Sequence, residues 1–226
     1  GAAGLEKKEW YRIMGMGNHG IRLNGHKNTV DCKPVAMPVP AKVRIPLALL
    51  GANTSTFLVQ KGDEVAVGQP VATQGQGIGV PVYASVSGKV AGIETVRLAS
   101  GAIVDAVVIE SDGRQTPWEG IKPPVVEDLK SFLEAVRQSG VVGLGGAGFP
   151  TWVKLNAEVE YLIINGSECE PYCTADYIAL RDFTADVVEG VRLVKEYGRI
   201  PKVIIGVKHP PQGIEEAFKA IPGAEI

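Results

Sequence analysis

The sequence predicts an all-β half followed by an α/β half built on a parallel sheet. Residues 35–110 are short Val-, Ile- and Leu-rich runs between turn signals, with no long helical period. After residue 110, continuous apolar runs alternate with amphipathic stretches in the order strand, helix, strand, helix, which is the pattern of a parallel sheet. Between them, Arg114 to Pro124 is rich in Pro and polar residues and reads as a linker. A chain of 226 residues holds one large or two modest domains, since domains typically run to about 100–150 residues. The expected division is an N-terminal extension over 1–34, a β domain over 35–113 and an α/β domain over 125–226.

In the β half, Lys61-Gly62-Asp63 is a turn, because Gly tolerates positive φ and Asp bonds its own backbone. Val65-Ala66-Val67-Gly68-Gln69-Pro70-Val71 follows, with Val65 and Val67 on one face and a second turn at Gly68. A comparable unit is Ala84-Ser85-Val86-Ser87-Gly88-Lys89-Val90. The two units resemble the hammerhead halves of biotinyl- and lipoyl-type barrel-sandwich hybrid domains. Such domains often carry a modified lysine at a hairpin tip. No Met-Lys-Met occurs here, and Lys89 sits where the matching half has an unmodified turn, so a structural β unit is preferred to a swinging-arm carrier.

In the second half, Val126 to Ser139 has helical period, with Leu129, Phe132, Leu133 and Val136 on one face and Gly140 as its stop. Tyr161 to Ile164 reads as a buried strand. Thr174 is an N-cap for a helix running to about Tyr197, ended by Gly198. Lys202 to Val207 is a second buried strand, and Gly213 to Ile221 begins another helix. With only two clear strands before Ile226, the sheet reads as unfinished and the chain as the N-terminal part of a longer protein.

Composition narrows the function. Lys plus Arg number 23 against 25 Asp plus Glu, a net charge of −2, which argues against a nucleic-acid binder with a broad basic face. No run reaches the roughly 18 apolar residues of a membrane span, and Lys7 and Lys8 precede no apolar core of a secretory signal. If the protein works at a membrane, a partner must hold it there. Cys32, Cys169 and Cys173 are too few for a disulfide scaffold. They are also too few for an iron–sulfur cluster with four thiolates. They read as ordinary loop or core thiols, and no metal site is expected.

Two segments carry the chemistry. Gly143-Leu144-Gly145-Gly146-Ala147-Gly148-Phe149-Pro150-Thr151 places four glycines in six positions. Glycine costs about 0.5–1 kcal/mol in regular structure, so these positions point to unusual dihedrals and to contact between a ligand and backbone N–H groups. A glycine-rich loop leading into a short helix suits a phosphate or a flat ring. It lacks the Gly-Lys-Ser/Thr of a P-loop, and it satisfies G-x-G-x-x-G without a strand leading into it. A tight turn or interdomain hinge is the alternative. The second segment, Asn165-Gly166-Ser167-Glu168-Cys169-Glu170-Pro171-Tyr172, follows the first strand, and ligands of open α/β sheets bind beyond the carboxyl ends of strands. Asn165 and Ser167 offer neutral hydrogen-bonding groups. Glu168 and Glu170 place two carboxylates that an extended loop would point the same way. A solvated acidic loop is the alternative here.

Together the two segments resemble the flavin-site pairing of the FMN-bearing subunit of respiratory complex I. The Asn-Gly-x-Glu-Cys-Glu-Pro form and the barrel-sandwich domain upstream are closer to the C subunit of Rnf-type ion-translocating electron-transport complexes. Gly20-Ile21, Lys33-Pro34 and Ile45-Pro46-Leu47 fall where that family has a similar N-terminal run, so the resemblance covers roughly Asn18 to Ile226. It implies a site for FMN and NAD(H). Gly143, Gly145, Gly146 and Gly148 would supply backbone around the flavin, Phe149 and Thr151 would shape the pocket, and Lys154 would offer positive charge. Asn165, Ser167 and Glu168 would hydrogen-bond the flavin, with Glu170 nearer the nicotinamide. Where the complex I loop has Arg this chain has Leu144, and where it has Asp this chain has Ser167.

The resemblance further implies an NADH-dependent oxidoreductase complex passing electrons between NAD(H) and iron–sulfur centres through FMN. No general acid is required and no catalytic residue is assigned. The [4Fe-4S] clusters are expected only beyond Ile226. Partners would be the other subunits of a membrane complex and, indirectly, a ferredoxin-like carrier. The place implied is the cytoplasmic face of the cell membrane, without a direct span and without nucleic acid. The competing reading is a non-catalytic docking subunit whose flavin site is empty.

Overall fold

The computed structural model describes residues 24–47, 55–74, 77–144, 146, 148–208 and 210–225. Among these, the β half comprises β1 (Lys42–Pro46), β2 (Ser55–Phe57), β3 (Glu64–Val65), β4 (Pro70–Gln74), β5 (Val82–Tyr83), β6 (Gly88–Arg97) and β7 (Ile103–Ser111). They form two antiparallel sheets, ordered β1-β7-β6-β3 and β2-β4-β5. Val65, Val71, Ala72, Val86, Val90, Val107 and Ile109 form one core shared by both sheets, a sandwich. The expected turn at Lys61-Gly62-Asp63 is present: the Gln60 amide donates to Asp63 Oδ2 at 2.9 Å and the Gly62 amide to Val90 O at 2.8 Å.

Gly88 has a physical reason to be glycine. At φ +151° it runs so close to β7 that a Cβ there would stand 2.0 Å from Glu110 O. Lys89 lies within β6, opposite Glu64 of β3 and Glu110 of β7, and not at a hairpin tip, which disfavours the carrier alternative.

The second half comprises α1 (Leu129–Gln138), α2 (Thr151–Leu155), β8 (Tyr161–Gly166), α3 (Ala175–Asp182), α4 (Thr184–Tyr197), β9 (Lys202–Val207), α5 (Ile214–Lys219) and β10 (Ala224–Glu225). The sheet is parallel, in the order β10-β9-β8. Val203 and Ile205 of β9 are buried with Leu162 and Ile164 of β8 against Leu180, Val191, Ile214 and Phe218 from the helices. The opposite face of β8 is open, with Tyr161 43% and Ile163 65% exposed.

Three readings are corrected here. The expected single helix from Thr174 to Tyr197 is two helices, because Phe183 leaves helical geometry at φ −122°, ψ 30°. The Thr184 hydroxyl bonds back to Leu180 O, a contact that bends helices. Thr174 is the N-cap of α3 as expected, yet its side chain makes no capping bond and instead pairs with the Thr29 hydroxyl at 2.7 Å. The sheet also has a third strand, β10, whose two residues are too short for periodicity to register.

The Arg114–Pro124 segment packs on the sandwich. Val67 donates to Thr116 O and Trp118 donates to Val67 O, while buried Ser87 receives the Thr116 amide and donates to Asp112. Helix α1 joins the halves. Arg137 donates to Gly79 O at 3.3 Å, the Tyr83 hydroxyl donates to Gln138 O, and Phe132 stacks on Tyr197 with ring centroids 5.0 Å apart. Among the described residues, no helix is long and apolar enough to cross a membrane.

Candidate functional site

The glycine loop closes on itself. Gly143 donates to Phe149 O at 3.0 Å, Gly146 and Gly148 both donate to Gly143 O at 3.1 Å, and Thr151 donates to Val141 O. Val142 and Pro150 face each other in a single antiparallel bridge. The amides read from the sequence as bare are therefore satisfied within the loop at Gly143, Gly146, Gly148 and Thr151. Gly148 sits at φ +73°, which lets the chain turn into α2 without a Cβ penalty. Gly145 lies outside the described residues, as do Gly20 and Ile21. No strand precedes the loop. It follows α1, as the sequence indicates.

Helix α2 then brings Lys154 back over the loop. A Cβ on Gly143 would stand 3.1 Å from Lys154 Nζ, so the ammonium lies directly against glycine backbone with no side chain between. The same ammonium is 5.9 Å from the centre of the Phe149 ring. Leu144 is 86% exposed and Phe149 39%, whereas Gly148 and Pro150 are buried. A groove of about 270 Å³ runs beside the loop, lined by Leu144, Gly148 and Pro150 and across from them by Ile45, Leu47 and Tyr83 of the sandwich.

The second segment lies at the carboxyl end of β8, as expected. Asn165 Oδ1 accepts from the Ser167 amide at 3.0 Å, and the Ser167 hydroxyl donates to Gly206 O of β9 at 3.2 Å. Gly166 fits under α3, where a Cβ would meet Leu180 at 2.9 Å. Glu168 and Glu170 part company. Glu170 is exposed, with Cys169 Sγ 3.6 Å from its Oε2. Glu168 turns inward: its Oε1 accepts from the Cys173 thiol at 2.8 Å and from the Ala175 and Asp176 amides at 3.1 and 3.4 Å. It thus caps α3 across the loop, placing a carboxylate where helix amides and the dipole favour one. Nearby Asp176 has its pKa raised, first by burial and then by repulsion from Glu168 and Glu170, with Lys27 opposing.

Spacing could not have identified the residues that hold this segment, because they come from the start of the chain. Lys27 Nζ donates to Glu170 O at 2.8 Å and Cys173 O at 2.6 Å, and lies 3.9 Å from Glu168 Oε2. Tyr172 donates its amide to Gly25 O and stacks on His26 at 4.8 Å. Arg181 of α3 donates to Val30 O and Cys32 O. The contacts span more than 140 residues of sequence, for instance 143 between Lys27 and Glu170.

The structure brings Gly143, Gly146, Gly148, Phe149, Thr151 and Lys154 together around one loop, and Asn165, Ser167, Glu168 and Glu170 around the β8 terminus. Neither the groove beside the glycine loop nor a larger one of about 1170 Å³ between α1, α2 and α4 is lined by any residue from Asn165 to Glu170. The cysteines are free, Cys32 and Cys169 exposed and Cys173 half-buried.

Comparison with known proteins matches both halves. Residues 17–114 match the RnfC barrel sandwich hybrid domain, and residues 136–226 match the Nuo51 FMN-binding domain. The C subunit of the proton-translocating ferredoxin:NAD(+) oxidoreductase complex of Clostridium ljungdahlii is 37% identical, over 92% of this chain and 47% of its own length. The C subunit of the Na(+)-translocating ferredoxin:NAD(+) oxidoreductase complex of Acetobacterium woodii is 42% identical, over 80% of this chain and 43% of its own. The C subunit of the ion-translocating oxidoreductase complex of Actinobacillus succinogenes is 39% identical, over 91% and 30% respectively. The chain thus spans less than half the length of these relatives. The docking-subunit alternative gains no support from them.

Proposed function

The chain belongs to the family of C subunits of Rnf-type ion-translocating electron-transport complexes, and from that premise we propose that its α/β half seats FMN for electron transfer with NAD(H). The observation that carries the reading is the cradle at Gly143. An ammonium lying against unscreened glycine backbone suits a phosphate, because Lys154 supplies charge and the missing side chain leaves room. With the amides of Gly143, Gly146, Gly148 and Thr151 engaged within the loop, the ammonium is the donor that fits the phosphate end of a flavin nucleotide.

On this reading Lys154 holds the phosphate, and the loop from Gly143 to Gly148, Gly145 included, leaves room for it. Phe149 and Thr151 bound the seat. Phe149 presents an exposed ring beside the cation. Asn165 and Ser167 set the shape of the strand end, and Glu170 offers an exposed carboxylate for the nicotinamide side. Glu168, with its Oε1 already engaged, acts through the loop it fixes. When bound, FMN would supply hydride and single-electron chemistry, and the residues named here would contribute position and field. By analogy with the activities for which the relatives are named, electrons would pass between NAD(H) and ferredoxin within a complex of several subunits; iron–sulfur centres and a place on the cytoplasmic face of the membrane are what the family resemblance adds. We place the division into working units at 35–113 and 125–226.

Titration of the chain with FMN, followed by flavin fluorescence, tests the reading. Lys154→Ala removes a charge-assisted bond worth roughly 1.5–3 kcal/mol, so affinity should fall by tenfold or more. Gly143→Val, which fills the cradle, should do the same. Equal FMN affinity in wild type and both variants sinks the assignment of the loop.

A further inference from the structure

We propose that Lys27 is a positioning residue for the nucleotide site, pinning the loop from Glu168 to Cys173 from a strap formed by residues Gly25 to Cys32. The proposal rests on the flavin reading above and deepens it by naming what fixes the acidic side of the site.

The strap is built at several points. Lys27 donates to two loop carbonyls, those of Glu170 and Cys173, and its charge faces Glu168, whose side chain is only 9% exposed. The Tyr172 amide donates to Gly25 O, its ring stacks on His26, the Thr29 and Thr174 hydroxyls pair, and Arg181 holds the Val30 and Cys32 carbonyls. Every contact crosses from the first residues of the described chain to the loop or to α3. Tyr172 stands at φ +65°, a conformation that a non-glycine residue holds only when its surroundings fix it.

Lys27 does two physical jobs. Its bonds hold the carbonyls of Glu170 and Cys173 in place, which sets where the exposed Glu170 side chain stands. Its charge also compensates Glu168, whose other oxygen caps α3, beside Glu170 and Asp176. Without it Glu168 would repel the neighbouring carboxylates of Glu170 and Asp176 uncompensated. Cys173 reports on the arrangement independently of any cofactor. Its half-buried thiol donates to Glu168 Oε1, so reagents reach it more readily when the loop loosens.

The experiment uses the full chain as wild type, Lys27→Met and Lys27→Arg. Methionine keeps the apolar stem and removes the charge; arginine restores a donor cation. Iodoacetamide alkylation is followed at Cys173 by peptide mapping, scaled to the same cysteine in the denatured chain, and FMN affinity is titrated in parallel. Lys27→Met should alkylate Cys173 about tenfold faster, the loss of one charge-assisted contact to the loop, and through the displaced loop bind FMN about tenfold more weakly. Lys27→Arg keeps the charge but not the ammonium's fit to the two carbonyls, so it should fall between Lys27→Met and wild type on both measures. An unchanged Cys173 rate in Lys27→Met overturns the strap. Faster Cys173 alkylation with unchanged FMN affinity overturns the positioning role and leaves the flavin site standing. A wild-type chain that takes up no FMN overturns the flavin reading and the positioning role with it, while the Cys173 rates still decide whether Lys27 holds the loop.

Discussion

Asp176 concentrates the electrostatics of the acidic corner in one residue. It lies in the first turn of α3, where an anion would ordinarily be favoured by the helix amides, but Glu168 already accepts the Ala175 and Asp176 amides. Burial, then Glu168, then Glu170 raise its pKa above the usual carboxylate range, and Lys27 only partly offsets them. A carboxylate whose folded pKa is raised favours the fold while protonated. Its contribution is present below the unfolded pKa of about 3.9 and is lost as pH rises through the raised folded value. Asp176→Asn should therefore raise the melting temperature at neutral pH and make little difference near pH 3. The check is a pair of thermal melts at the two pH values. A variant less stable than wild type at neutral pH would mean that Asp176 is held by attraction.

At the scale of elements, the hairpin of β6 and β7 bears most of the sandwich. Ala106, Val107, Val108 and Ile109 of β7 are all fully buried, and β7 pairs on both sides, with β1 and β6. The hairpin closes tightly only because Gly88 has no side chain. Gly88→Ala would drive a Cβ into Glu110 O at 2.0 Å on a backbone at φ +151°, so the two strands must separate. The expected loss exceeds the roughly 1 kcal/mol that a compatible Gly→Ala change can return. A lower urea midpoint measures it, and an unchanged midpoint would show that the strands do not lie this close. Helices α3 and α4 illustrate the opposite case. Their apolar period runs on through Phe183, and only Thr184 bonding back to Leu180 O, with Arg181 drawn to the strap, divides them.

For the whole molecule, two separate cores set the behaviour. One lies between the antiparallel sheets around Val71, Val107 and Ile109, the other under the parallel sheet around Val203, Ile205 and Phe218. Among the described residues, hydrogen bonds cross the junction from Arg137 to Gly79 O and from Tyr83 to Gln138 O. Ile109→Ala should cost about 2–5 kcal/mol and Phe218→Ala about 3–5 kcal/mol. Each should reduce amide-exchange protection chiefly in its own half. Equal loss of protection in both halves from either change would mean that the cores unfold as one unit.

Alternation in Val65-Ala66-Val67 and continuous apolar runs such as Lys202 to Val207 marked the β half and the strand–helix–strand–helix order of the second half from sequence alone, because period and turn chemistry are local, though they did not mark the break at Phe183 or the two-residue β10. The glycine loop and the Asn165–Glu170 segment were legible for the same reason: unusual composition at a strand end or helix start needs no partner to be noticed. Tertiary structure decided what those residues touch. The loop amides close on Gly143 O and Phe149 O, Glu168 turns inward to cap α3, and Lys27 arrives from the far end of the chain. Hydrogen bonds and charges act through space, so contacts spanning 143 residues or more leave no trace in the spacing of neighbours.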